Sequence, residues 1–115
     1  MQVQVFGTKK SADTRKALRF FAERRIQVHF VDLAQRAASP GELRRFVQRF
    51  GVDALIDPRA RRFSDLGLSA AARGDEWWIQ TLAEEPMLLR MPLVRSANLL
   101  TIGDAEVEWK GWVGR

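Results

Sequence analysis

Ser11 is the first residue whose type and position could do chemistry. It follows the loop-like run Gly7-Thr8-Lys9-Lys10 and precedes Ala12-Asp13-Thr14-Arg15, where a helical pattern begins. A serine there is a favoured N-cap, and Asp13 in the first turn suits the positive helix end. Such an end offers unpaired backbone N–H groups, and Lys9 and Lys10 add charge just ahead of it. Those features fit a small anion such as phosphate or a carboxylate. The plainer reading is a cap beside solvated lysines. As a nucleophile, Ser11 would need a base within hydrogen-bond reach. The one imidazole, His29, sits in the alternating run Val28-His29-Phe30, which leaves its face open, and no carboxylate is evidently paired with it. A Ser-His pair is not expected. Thr14, in the first helical turn, is expected to pack or cap.

What must position these residues is a small folded chain. At 115 residues, 46% hydrophobic and 29% charged, it has the composition of one domain over residues 1–115 around one core. It has no cysteine, which excludes disulfides, thiolate metal ligands and thiol nucleophiles. A single histidine excludes a site with two imidazoles, and no metal is expected. The net charge is +5, and 15 of the 19 basic residues are Arg, suited to bidentate contacts with carboxylate or phosphate. Arg44, Arg45, Arg49, Arg59, Arg61 and Arg62 make the middle basic. They lack helix-turn-helix spacing, an RNP motif or interleaved aromatics, so nucleic acid is not expected as a direct partner. No apolar run approaches the ~20 residues of a membrane span, and MQVQVFGTKK lacks the pattern of a secretory leader. A cytoplasmic location and no membrane partner are expected. Asp75-Glu76 and Glu84-Glu85 read as solvated helix ends. Of Trp77, Trp78, Trp109 and Trp112, some must be core, and an exposed Trp77 or Trp112 would mark a protein contact.

The elements follow from periodicity. Val3 and Val5 alternate with Gln2 and Gln4, a short strand. From Ala12 to about Arg25, Thr14, Ala17, Leu18, Phe21 and Ala22 share one helical face, opposite Arg15, Lys16, Arg19 and Glu23. Residues 26–31 form a second strand, ended by Asp32. Ser39-Pro40-Gly41-Glu42 is a capping box with Pro at the first helical position. Leu43, Phe46, Val47 and Phe50 continue that helix until Gly51. Val52 to Leu68 reads as short helical turns broken by Pro58 and Gly67. A helix spans Asp75 to Glu85, stopped by Pro86. Leu93-Val94 and Leu99 to Ile102 form a hairpin around Ser96-Ala97-Asn98. A last helix starts at Gly103-Asp104, with Ala105, Trp109 and Trp112 on one face. The order β-α-β, helical insertion, β-β-α is that of an α/β thioredoxin-like domain with a four-stranded mixed sheet and a right-handed parallel crossover.

Three segments carry a family resemblance. The first is Phe6-Gly7-Thr8-Lys9-Lys10-Ser11-Ala12-Asp13-Thr14-Arg15-Lys16-Ala17. The second is Arg59 to Leu68. The third is Glu85-Pro86-Met87-Leu88-Leu89-Arg90-Met91-Pro92-Leu93-Val94. In this order and spacing the chain resembles the ArsC-type arsenate reductases and the related Spx regulators, over nearly its whole length. The resemblance implies a thioredoxin-like fold of the ArsC/Spx type. It implies a proline with a cis bond before the third strand, matched by Pro92, and oxyanion-binding arginines. Arg90 matches one of these. A second position falls on Asp57, with Arg59 nearby matching the Spx-like branch. A third, between the last strand and final helix, has no Arg counterpart.

The departures weigh more. Ser11 stands where the family's nucleophilic cysteine would be, and Thr14 where a second cysteine would be. A serine hydroxyl cannot cycle through a disulfide, so the family's reduction chemistry has no counterpart here. By resemblance, the candidate anion-binding residues are Lys9, Lys10, Ser11, Ala12, Arg59, Arg90 and Pro92, none of them catalytic. The expected function is a cysteine-less, non-redox binding or regulatory module with a relic anion pocket. Its expected partner is another protein, as Spx proteins act on RNA polymerase, and no resident cofactor is expected. The alternative is a glutaredoxin-like, arsenate-reductase-related enzyme that borrows an external thiol such as glutathione. A native cysteine replaced by serine at position 11 is a third reading.

Overall fold

The computed structural model describes residues 1–68 and 73–114. Their contacts divide the chain into two compact units, Met1–Asp32 with Met91–Arg115, and Leu33–Arg90.

The first unit carries the sheet. Strand β1 (Gln2–Gly7) leads through helix α1 (Ala12–Glu23) to β2 (Gln27–Asp32). The pair is parallel, from Gln2 beside Gln27 to Gly7 beside Asp32. The hairpin of β3 (Leu93–Ser96) and β4 (Leu99–Ile102) adds antiparallel strands, giving the order β2-β1-β3-β4. This is the mixed four-stranded sheet expected from the element order. Alternation puts Val3, Val5 and Val94 on one face, where they pack with Ala17, Phe20 and Phe21 of α1 and with Trp109. Trp109 belongs to the last helix, Glu106–Val113, and its buried indole N–H donates to Thr101 Oγ1 at 2.9 Å. Burying an indole requires such an acceptor.

Some boundaries differ from the sequence expectation. The last helix begins at Glu106 rather than at Gly103-Asp104. Gly103 adopts φ 73, outside the helical region, and the Asp104 carboxylate instead accepts the Glu106 N–H at 3.3 Å. The second strand starts at Gln27, because the Ile26 N–H is still bonded to the Phe21 carbonyl at the end of α1.

The second unit is helical. Helix α2 (Pro40–Phe50) packs on α3 (Asp75–Glu84), with the 3₁₀ turn Val52–Leu55 and the short helix Arg61–Asp65 between them in sequence. Leu43, Phe46 and Val47 of α2 and Trp78, Ile79 and Leu82 of α3 are its buried residues. The expected capping box is present in full: Ser39 Oγ accepts the Glu42 N–H at 3.1 Å, and Glu42 Oε1 accepts the Ser39 N–H at 2.9 Å. The helix expected to reach Glu85 ends at Glu84, and Pro86 opens a 3₁₀ turn to Leu88. Three arginines of this unit pair with carboxylates: Arg44 with Glu76, Arg62 with Glu85 and Arg36 with Glu42. The Arg62 fork donates two 2.8 Å bonds to Glu85, which hold the Glu85 carboxyl below its usual range.

Candidate functional site

The loop after β1 and the first turn of α1 form the site. Gly7 ends β1 against the side chain of Thr14: a Cβ added at Gly7 would lie 2.7 Å from Thr14 Cγ2 and nearer still to Oγ1. Only glycine allows strand and helix to approach this closely. The chain then turns back, with the Ser11 N–H donating to the Thr8 carbonyl at 3.1 Å. Ser11 is the N-cap, as expected. Its Oγ accepts the Thr14 N–H at 3.2 Å, and its carbonyl accepts the Arg15 N–H at 3.0 Å. The Arg15 guanidinium reaches back to the Lys9 carbonyl at 2.7 Å, which ties the loop to the helix.

The bonds of this turn leave two donors over. Among the described residues, no acceptor is recorded for the N–H of Ala12 or Asp13. Lys9 and Lys10 are exposed, and neither is in an ion pair with a described residue. Two free N–H groups, a positive helix end and two cations are the equipment for holding an anion. Thr14 is wholly buried, and its Oγ1 has no hydrogen-bond partner. It packs, as the sequence suggested, and is sealed from any ligand.

Pro92 joins this group. The Met91-Pro92 bond is cis, the buried Pro92 stands immediately before β3, and Thr8 Oγ1 lies 3.7 Å from Met91 Sδ. Thr8 was not singled out from the sequence. Its burial beside a loop of charged residues is the feature that reveals it.

His29 is not a base for Ser11. It is exposed on β2 and level with Gln4, three residues before Gly7 on the neighbouring strand, about 10 Å along the sheet.

Arg59 and Arg90 belong to the Leu33–Arg90 unit, on two segments that pair with each other. Ile56 and Leu89 form an antiparallel bridge, the Asp57 N–H donates to the Leu88 carbonyl at 2.8 Å, and the Arg90 N–H to the Leu55 carbonyl at 2.7 Å. The Arg90 guanidinium makes a long 3.4 Å contact to the Ile56 carbonyl. Arg59 is exposed, and its N–H donates to Asp57 Oδ1 at 3.0 Å. The structure therefore gathers Lys9, Lys10, Ser11, Ala12 and Pro92 in one unit and Arg59 with Arg90 in the other.

Between β4 and the last helix, where the family pattern places an arginine, stands Asp104. It accepts from Lys16 of α1 at 2.7 Å, with Glu106 also 3.4 Å from Lys16. That hydrogen bond holds the Asp104 carboxyl below its usual range and the Lys16 ammonium above its own.

The sequence profile of the ArsC family matches residues 6–111. The chain belongs to the ArsC family. Solved structures agree on the fold. An ArsC family related protein from Bacteroides fragilis superposes with a TM-score of 0.86 at 19% identity, covering 96% of this chain and 97% of that one. The arsenate reductase from Vibrio cholerae does so at 0.82 and 22% identity, covering 94% of each. An arsenate reductase (ArsC) related protein from Brucella melitensis gives 0.69 at 17% identity, covering 97% of this chain and 94% of that one. No curated protein matches the sequence. This ArsC-family chain is thus a thioredoxin-like α/β protein without a cysteine, with a serine hydroxyl engaged as a helix cap at the head of α1.

Proposed function

We propose that this ArsC-family chain is a non-redox binding or regulatory module whose α1 N-terminus is a relic anion pocket, and that its main partner is another protein. The carrying observation is the state of Ser11: its Oγ accepts the Thr14 N–H, and the described residues bring no imidazole near it. A hydroxyl without a base is a poor nucleophile, and neither it nor any other side chain of this cysteine-free chain can form a disulfide. What remains is the binding geometry: the free N–H groups of Ala12 and Asp13, with Lys9 and Lys10 ahead of them. Arg59 and Arg90 stay candidates as oxyanion ligands on the strength of the family resemblance. The module acts in the cytoplasm on this reading and needs no resident cofactor.

The family match at Arg90 and Pro92 favours a second reading, an enzyme that borrows an external thiol such as glutathione. One experiment separates the two. Arsenate, phosphate and glutathione are titrated separately while backbone amide resonances are followed, and arsenite formation is assayed with arsenate and glutathione together. The module reading expects arsenate and phosphate shifts centred on Ala12 and Asp13 and no arsenite. Turnover lost in Ser11→Ala would establish the enzyme instead, and silent amides at Ala12 and Asp13 would remove the anion pocket.

A further inference from the structure

The positive charge of this chain is concentrated. Residues 9–25 carry seven Lys or Arg and two carboxylates, a surplus of five that equals the net charge of the whole chain. The rest of the sequence is balanced. The segment is the loop before α1, α1 itself and the turn after it. On α1, burial of Thr14, Ala17, Phe20 and Phe21 turns Arg15 and Arg19 outward along one line, with exposed Ala12 and Ala22 at its two ends. Lys9 and Lys10 extend the line at one end, and Arg24 and Arg25 at the other. All six of these cations are exposed.

Few of them are neutralised. Lys16, to the side of the line, is taken by Asp104 and Glu106. Arg19 has a loose 3.8 Å contact with Glu23. Arg15 donates to the Lys9 carbonyl, and Arg24 donates to the Phe20 carbonyl with its guanidinium 3.7 Å over the Phe20 ring. These contacts hold both side chains in place without cancelling their charge. Lys9, Lys10 and Arg25 have no ion pair among the described residues.

We infer that this ridge is the docking surface for an acidic face of a partner protein. The inference rests on the module reading above for the idea of a protein partner, and locates the contact. Charge complementarity sets the sign of the partner, and guanidinium forks already ordered by local bonds match carboxylates bidentately. The methyl faces of Ala12 and Ala22 let a partner backbone come close. Asp13 and Glu23, exposed near the two ends, argue for protein over nucleic acid: each would face a phosphate strand with like charge, whereas a protein surface supplies a matching Lys or Arg. The outward line also holds no amide or hydroxyl side chain to read base edges.

The test uses the full chain and a fluorescein-labelled, glutamate-rich helical peptide as probe, with a DNA duplex of equal charge beside it. The peptide should bind with an affinity that falls as salt rises. The double variant Arg19→Ala/Arg25→Asn should weaken it about tenfold, since two exposed charge contacts are removed. Asn is chosen because Arg25 has φ 57, which Asn tolerates. The control Arg45→Ala/Arg61→Ala, two exposed arginines elsewhere, should bind as the parent does, and thermal unfolding checks that each variant folds. Equal weakening in the control, no peptide binding, or tighter binding of the duplex with the same residue dependence overturns the ridge. Failure here is distinct from failure of the module reading, which falls on arsenite formation.

Discussion

Two serines cap two helices in this chain, and their surroundings differ. Ser39 caps α2 in a closed arrangement. Pro40 has no N–H to satisfy, the Glu42 N–H goes to Ser39 Oγ, and the Glu42 carboxylate returns to the Ser39 N–H. Ser11 caps α1 in an open one. Thr14 stands where the box would place a carboxylate, the Ser11 N–H is spent on the Thr8 carbonyl, and Ala12 and Asp13 keep free N–H groups behind two lysines. The same residue type therefore leaves one first-turn N–H, that of Gly41, without an acceptor among the described residues in α2, and two in α1. What distinguishes them is Pro40, which brings no N–H, and the third residue after the cap, Glu42 in one helix and the buried Thr14 in the other.

Gly7 offers the strongest way to break the comparison. Gly7→Ala forces a methyl into Thr14, and overpacking of this kind costs about 2–3 kcal/mol. Gly41→Ala, in the first turn of α2, meets only Ser39 Oγ at 3.9 Å and should leave the midpoint level or raise it. Urea titration of the two variants checks both, and equal effects would show that the β1–α1 approach is not tight.

The caps come next. Ser39→Ala removes one bond of the box and weakens its partner, at a cost of about 1–2 kcal/mol. Ser11→Ala loses a single bond, about 1 kcal/mol or less. A larger loss at Ser11 than at Ser39 would reverse the assignment of closed and open ends.

Thr14→Val tests the reason for the open end. Thr14 Oγ1 is buried without a partner, and its replacement by a methyl relieves desolvation without opening a cavity. The variant should gain about 1 kcal/mol, read as a rise in the denaturation midpoint. A loss would mean that the hydroxyl has a partner in solution.

The smallest effect is in acid. The pKa values of Asp104 and Glu106 are depressed in the folded chain, chiefly by hydrogen bonds from Lys16 to Asp104 and from Lys110 to Glu106. A depressed folded pKa contributes stability above the unfolded value near 4, lost as pH falls through the folded one. Stability of the parent should therefore decline below about pH 4, more steeply than in Asp104→Asn/Glu106→Gln, with a difference that shrinks in high salt because all these side chains are solvent-exposed. Parallel acid titrations would contradict the pairing.

Much of this was legible in the chain itself, for local reasons. The capping box, the Ser11 cap and the span Leu99–Ile102 depend on neighbours a few residues apart, and periodicity or turn residues report them directly. The missing cysteine is read there as well, and with it the fact that no side chain of this chain can form a disulfide. The start of the last helix was misplaced because Gly103 and Asp104 resemble a helix opening until the positive φ of Gly103 is seen.

Other features arise only when distant segments meet. Strand order, the seating of Gly7 against Thr14 and the neutralisation of Lys16 by Asp104 join residues that the sequence separates. The unneutralised charge along α1 belongs with them. Sequence counts its cations, but only folding decides which of them find a carboxylate and which are left facing solvent, because ion pairing depends on distance in space rather than along the chain.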